Sequence, residues 1–191
     1  MKLNSRVIAG LSILGAMAVI LVIPALSFPI IPTAPFLKYD AADIPIMIGT
    51  FLFGPLEGLL LTVIVSLIQG FFFAQDAFYG ALMHIIATGT FALIGGFIYK
   101  YNRTIKGAII GLIFGAVSSV IIMIAANLIV TPLYLGMPRA VVKGMLLPAI
   151  IPFNLIKFGV NSILCFLLYK RMHKVLDFIT KGLDNKDKQS E

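Results

Sequence analysis

Apolar runs long enough to cross a membrane recur along the chain, near residues 6–27, 44–73, 77–99, 107–131 and 150–169. An α-helix rises about 1.5 Å per residue, so about 20 apolar residues cross a hydrocarbon core of about 30 Å. At 60% hydrophobic and 12% charged, the chain has too little polar surface to cover a soluble core. The sequence therefore implies an all-α, polytopic membrane protein built as one compact domain. The formal charge of +7 does not point to nucleic acid, because its basic residues sit in short clusters beside apolar runs. The single cysteine, Cys165, lies inside an apolar run and excludes an intrachain disulfide.

The number of spans turns on the second run. Its 30 residues, 44 to 73, would make a helix of about 45 Å, and Gly54-Pro55 interrupts it with Glu57 just beyond. Proline breaks a helix interior but is tolerated in a first turn, so the run divides into 44–53 and 55–73. Six transmembrane helices follow, near 6–27, 44–53, 55–73, 77–99, 107–131 and 150–170, in a membrane domain covering 1–175. An outer loop spans 28–43, and residues 176–191 form a polar cytoplasmic tail in which "KGLDNKDKQSE" has the composition of a disordered segment. The opening residues mimic a signal peptide, but their apolar run is long for one and they are read as a retained first helix.

Charge supports six spans with both termini cytoplasmic. Lys2, Arg6, Lys100, Arg103, Lys106, Lys170, Arg171, Lys174, Lys181, Lys186 and Lys188 then lie inside, and only Lys38, Arg139 and Lys143 lie outside. A five-span arrangement with the same start would export most of them. The protein is expected in the cell membrane as a multi-pass chain.

This topology collects the intramembrane polar groups at the outer side. Gln69 falls near the outer end of the third helix, His84 about two turns into the fourth with Thr88 one turn below, and Asn127 near the outer end of the fifth. Asn154 and Lys157 open the sixth helix, and Asn161 follows along the same side. The proline-rich outer loop adds Lys38, Tyr39, Asp40 and Asp43. Each has a plain structural alternative. Asn127 suits an interhelical hydrogen bond, His84 a packed histidine, and Asp43 before "IPIM" a helix N-cap. Lys157 is the sharpest case, since an ammonium in hydrocarbon needs a cavity, a ligand or a salt bridge such as one to Asp40.

Their coincidence at one depth points to an outward-facing pocket of amides and one cation among Phe, Tyr and Leu, suited to a flat heteroaromatic ligand. The chain lacks G-x-x-x-x-G-K-[ST], so a transport motor would belong to a partner. No enzyme is expected: "DAAD" is followed by Ile44, which breaks the D-x-x-D-G pattern of an alcohol phosphotransferase, and a Ser–His mechanism would need a nucleophile beside His84. Ala9, Ser12 and Ala16 lie near one face of the first helix, a small-residue pattern that fits a partner helix and intramolecular packing equally well.

The stretches "APFLKYDAADIPIMIGTFLFGPLEG" and "IIPFNLIKFGVNS", with six spans, resemble the riboflavin-specific S components of energy-coupling-factor (ECF) transporters, the RibU type. The resemblance implies a six-helix subunit that captures riboflavin at its outer side and joins a transmembrane coupling subunit and two cytoplasmic ATPases, which drive import. It implies no cofactor, riboflavin being the cargo. Family contacts carry over onto Asn127, Asn154 and Lys157, with the loop around Leu37, Tyr39 and Asp40 closing over the ligand. Ser12 and Ala16 would meet the coupling subunit. Well-known members carry a Lys-Asn pair in the third helix where this chain has Val65-Ser66, with Gln69 a turn later, and Asn in the fourth where His84 stands. These changes keep open another vitamin, a pyridoxine or a thiamin precursor. A stand-alone secondary carrier is the remaining alternative.

Overall fold

A computed structural model describes residues 5–72 and 77–187. Lys2 and Lys188 of the charge pattern, and Phe73 at the expected end of the third helix, lie outside these residues. The chain is nearly all helical: α1 Ser5–Leu21, α2 Asp43–Phe53, α3 Pro55–Phe72, α4 Ala77–Tyr101, α5 Ile105–Leu135, α6 Arg139–Met145, a π-helical turn Leu146–Ile150, and α7 Ile151–Asp187. Among the described residues, four segments are long and apolar enough to cross a membrane: Pro55–Phe72, Phe78–Tyr101, Ile105–Leu135 and Arg139–Arg171. Val7–Leu21 and Asp43–Phe53 are shorter apolar helices.

The short α2 is the axis of the bundle. It packs on α1, α3, α4 and α7, and every residue from Asp43 to Phe51 is buried, which suits a helix that is apolar on all sides. It ends at Gly54, whose φ of 133° lies where a side chain would be strained. Pro55 opens α3 in the position where its missing N–H costs nothing. The chain folds back at this elbow, and Gly58 lies against Thr50 with no room for a Cβ. Thr104 caps α5 by accepting from the Gly107 N–H at 3.1 Å.

At the opposite end, residues 28–42 form a loop between α1 and α2. Phe28–Pro29 pairs antiparallel with Lys38–Tyr39 as β1 and β2. Ala34 and Leu37 are buried against Val142, Ile150 and Phe153, an apolar cluster that seats the loop on the α6–α7 region.

Several helices differ from the sequence expectation. α1 ends at Leu21 rather than 27, ahead of Pro24, which disfavours helix at Ile23. α5 continues beyond 131 to Leu135 with Pro132 inside its last turn. The connection between α5 and α7 contains α6 and the π-helical turn, where Pro148 lacks the N–H a regular ladder would use. α7 extends to Asp187, through most of the 176–191 segment assigned to a polar tail.

Candidate substrate-binding site

Groups from the loop, α3, α4, α5 and α7 converge at the loop end of the bundle around one cavity. Of the residues expected there, Leu37, Asp40, Gln69, His84, Asn127, Asn154 and Lys157 all line it. Tyr39 does not. Its hydroxyl donates to Asn161 Oδ1 at 2.8 Å, behind the cavity wall. Burial, followed by the Asp43 and Asp40 carboxylates, pushes the Tyr39 phenol above its ordinary value, so it remains a donor. Ser12 and Ala16 do not line the cavity and are exposed on α1.

Both asparagines are held by their own helices. Asn127 Nδ2 donates to Met123 O at 2.8 Å, and Thr131 Oγ1 donates to Asn127 Oδ1 at 2.9 Å. Asn154 Nδ2 donates to Ile150 O at 2.8 Å. Bonding to a carbonyl four residues back pins each amide, so little side-chain entropy is lost when a ligand binds. Asn154 keeps Oδ1 and one N–H for a ligand, whereas Asn127 keeps chiefly one N–H. The pair therefore offers a donor–acceptor set matched to an edge carrying carbonyl and N–H groups.

Lys157 is buried and stands 2.9 Å from Asp40 Oδ2 and 3.9 Å from Asp43 Oδ2. The cavity and the salt bridge, alternatives for Lys157 in the sequence, thus coexist. Asp40 Oδ1 accepts from the Ala42 N–H at 3.1 Å, which holds the loop in a turn. Asn161 Nδ2 donates to Asp40 O at 3.1 Å and to Asp43 Oδ2 at 2.8 Å, tying loop, α2 and α7 at one point.

Asp43 is not an N-cap. Ala42 holds the cap position without a side-chain bond, and the Asp43 carboxylate turns inward with no solvent exposure. Its Oδ1 accepts from Thr88 Oγ1 at 2.6 Å and lies 3.6 Å from His84 Nε2. Asp40, Asp43 and His84 each bring one possible ligand atom within 4.8 Å of the others. The Lys157 ammonium already supplies the positive charge there, so the set forms an ion-pair network.

Val65 and Ser66 are buried, and Ser66 Oγ is spent on Thr62 O at 2.7 Å. In their place Gln69 Oε1 meets His84 Nδ1 at 2.7 Å, so the two departures in the third and fourth helices form one pair. Sequence reasoning expected Phe, Tyr and Leu around the pocket but did not name which residues wall it. Phe36 and Phe153 line one part of the cavity, and Tyr79 and Tyr134 another, their ring centroids 5.7 Å apart. The only signal for the tyrosines was their position at the loop-side ends of α4 and α5.

The family model described as ECF transporter, substrate-specific component, matches residues 6–169. The chain belongs to the substrate-specific (S) components of ECF transporters. This S component is 33% identical over 183 residues to the riboflavin transporter RibU of Staphylococcus aureus (strain TCH60), covering 92% of this chain and 94% of that one. It is 32% identical over 134 residues to the riboflavin transporter RibU of Lactococcus lactis subsp. cremoris (strain NZ9000), covering 69% of this chain and 65% of that one. A solved structure described as the S component of a bacterial ECF transporter superposes with a TM-score of 0.77 at 32% identity, covering 90% of this chain and 97% of that chain. The S component thus combines a family fold with a cavity whose wall carries a buried charge network.

Proposed function

We propose that this chain binds riboflavin in the loop-end cavity as the substrate-binding subunit of an ECF-type vitamin importer. The observation that carries this reading is the convergence of Asn127, Asn154 and Lys157, from two helices, on one cavity walled by aromatic rings. A tricyclic flavin presents apolar faces to such walls and a carbonyl/N–H edge to the amides. The similarity to riboflavin transporters supports the same ligand.

In this reading, six helices cross the cell membrane with both termini cytoplasmic, and the cavity opens outward. Leu37, Tyr39 and Asp40 hold the loop over the ligand, and Gln69 and His84 complete the site. The chain carries out no reaction itself. A transmembrane coupling subunit and two cytoplasmic ATPases supply the energy, and the exposed Ser12 and Ala16 face meets the coupling subunit.

Protein purified in detergent from a riboflavin-containing culture is expected to be yellow, with the flavin fluorescence quenched. Colourless protein that fails to quench added riboflavin would overturn the assignment. Pyridoxine and thiamin precursors in the same titration test the alternative vitamins that the Gln69–His84 pair keeps open. In liposomes, the chain alone is expected to bind without accumulating substrate; accumulation would make it a stand-alone carrier.

A further inference from the structure

Among the described residues of the cavity wall, His84 carries a fully buried polar atom with no hydrogen-bond partner. Its Nδ1 lies 2.7 Å from Gln69 Oε1 and donates to it. Its Nε2 is buried without a hydrogen-bond partner, yet sits 3.6 Å from Asp43 Oδ1. A neutral imidazole with its hydrogen on Nδ1 sets an Nε2 lone pair against a carboxylate oxygen. A second proton turns that contact into an attraction.

The charges packed around that contact are unequal. Asp43 faces His84 from α2, and Asp40 joins the same network from the loop. All four of their carboxylate oxygens accept hydrogen bonds: from Ala42 N–H and Lys157 on Asp40, and from Thr88 and Asn161 on Asp43. Gln69 from α3 and Asn127 and Thr131 from α5 are neutral, and Tyr79 and Tyr134 contribute phenols. Lys38 lines the cavity but is exposed, so water screens it. Two buried carboxylates therefore face one buried ammonium, that of Lys157. An uncompensated charge among apolar helices is costly, and costlier once water leaves.

We propose that ligand binding is coupled to the uptake of one proton at His84 Nε2. The inference rests on the riboflavin reading above. Water in the open cavity screens the excess negative charge; a flavin filling the cavity displaces that water, and a proton drawn from solvent replaces its screening. His84 is then a positioning residue, holding Gln69 and Asp43 while neutralising the network. Because the complex holds more protons than the free protein, affinity is highest at low pH. It falls as pH rises, by up to about tenfold per pH unit.

Isothermal titration of riboflavin into the detergent-purified full chain, in two buffers of equal pH and different ionisation enthalpy, counts the protons. The expected result is close to one proton taken up per riboflavin in the wild type. His84→Gln is expected to show none and to have an affinity independent of pH, while His173→Gln, altering the only other histidine, keeps the wild-type count. Riboflavin binding without proton exchange in the wild type would overturn the inference and leave the ligand assignment standing. That is the behaviour of a neutral Nε2–H tautomer with the Gln69 amide turned. No binding in either buffer would overturn the ligand assignment and this inference together. Where His84→Gln fails to fold, the wild-type comparison still decides.

Discussion

The two ends of the bundle are held together by different forces. At the loop end, elements meet through side-chain hydrogen bonds and buried charges: Lys157 with Asp40, Asn161 with Asp43, Thr88 with Asp43. At the elbow end, backbone packs on backbone. A methyl on Gly111 would sit 2.6 Å from Gly95 O, and one on Gly115 2.8 Å from Phe91 Cδ2. Phe51, Tyr99 and Tyr169 close that end, with the two tyrosine hydroxyls 2.6 Å apart. Close apolar packing has one good arrangement and resists deformation. A polar network leaves hydrogen-bonding capacity that a ligand can complete. The molecule thus has a rigid base and a receptive mouth.

Substitutions can break this contrast. The largest effect is expected from Asp43→Ala, which strips Thr88 of its acceptor, removes one of the two acceptors of Asn161 Nδ2 and takes away a carboxylate 3.9 Å from the Lys157 ammonium; loss of one member of a buried ion pair costs about 3–5 kcal/mol of stability. Thermal unfolding of the purified protein measures it, and an unchanged Tm would show that the network does not hold the loop end together. Gly111→Leu forces α4 and α5 apart and is expected to cost about 2–3 kcal/mol by overpacking. The fraction that still folds should bind riboflavin as the wild type does, because the clash lies away from the cavity.

Asn154→Ala works in the opposite sense. It is expected to weaken riboflavin binding by about 1–2 kcal/mol, roughly five- to thirtyfold, with membrane insertion intact. Asn127→Ala should cost less, about 1 kcal/mol, since both ends of that amide are already engaged within α5. The smallest effect on the isolated chain is expected from Ser12→Leu with Ala16→Leu. These positions are exposed, so Tm and riboflavin affinity should not change, while co-purification with the coupling subunit should fall. Unimpaired co-purification would place that contact on another face.

What could be read from the sequence follows the range of each signal. Apolar runs and the Gly54-Pro55 break are local, and they correspond to α2, α3, α4 and the body of α5. The lysine, too costly to leave unpaired, led directly to Asp40 as a partner. Asp43 was misread because capping rules weigh only the residues next to a helix start, whereas its carboxylate is satisfied by Thr88 and Asn161, far away in the chain. Loop sequence likewise does not say which way a side chain turns: Tyr39 is in the loop expected over the ligand, and its hydroxyl donates to Asn161. The 146–150 turn escaped because a proline breaks a helix pattern without revealing that the helix resumes through an i→i+5 bulge.

The central claim is that amides on α5 and α7 share one guest. The most direct measurement is a structure of the riboflavin complex. The account predicts the isoalloxazine edge at hydrogen-bonding distance, about 2.7–3.2 Å, from the side chains of both Asn127 and Asn154. A flavin bound elsewhere, or touching neither amide, would contradict it.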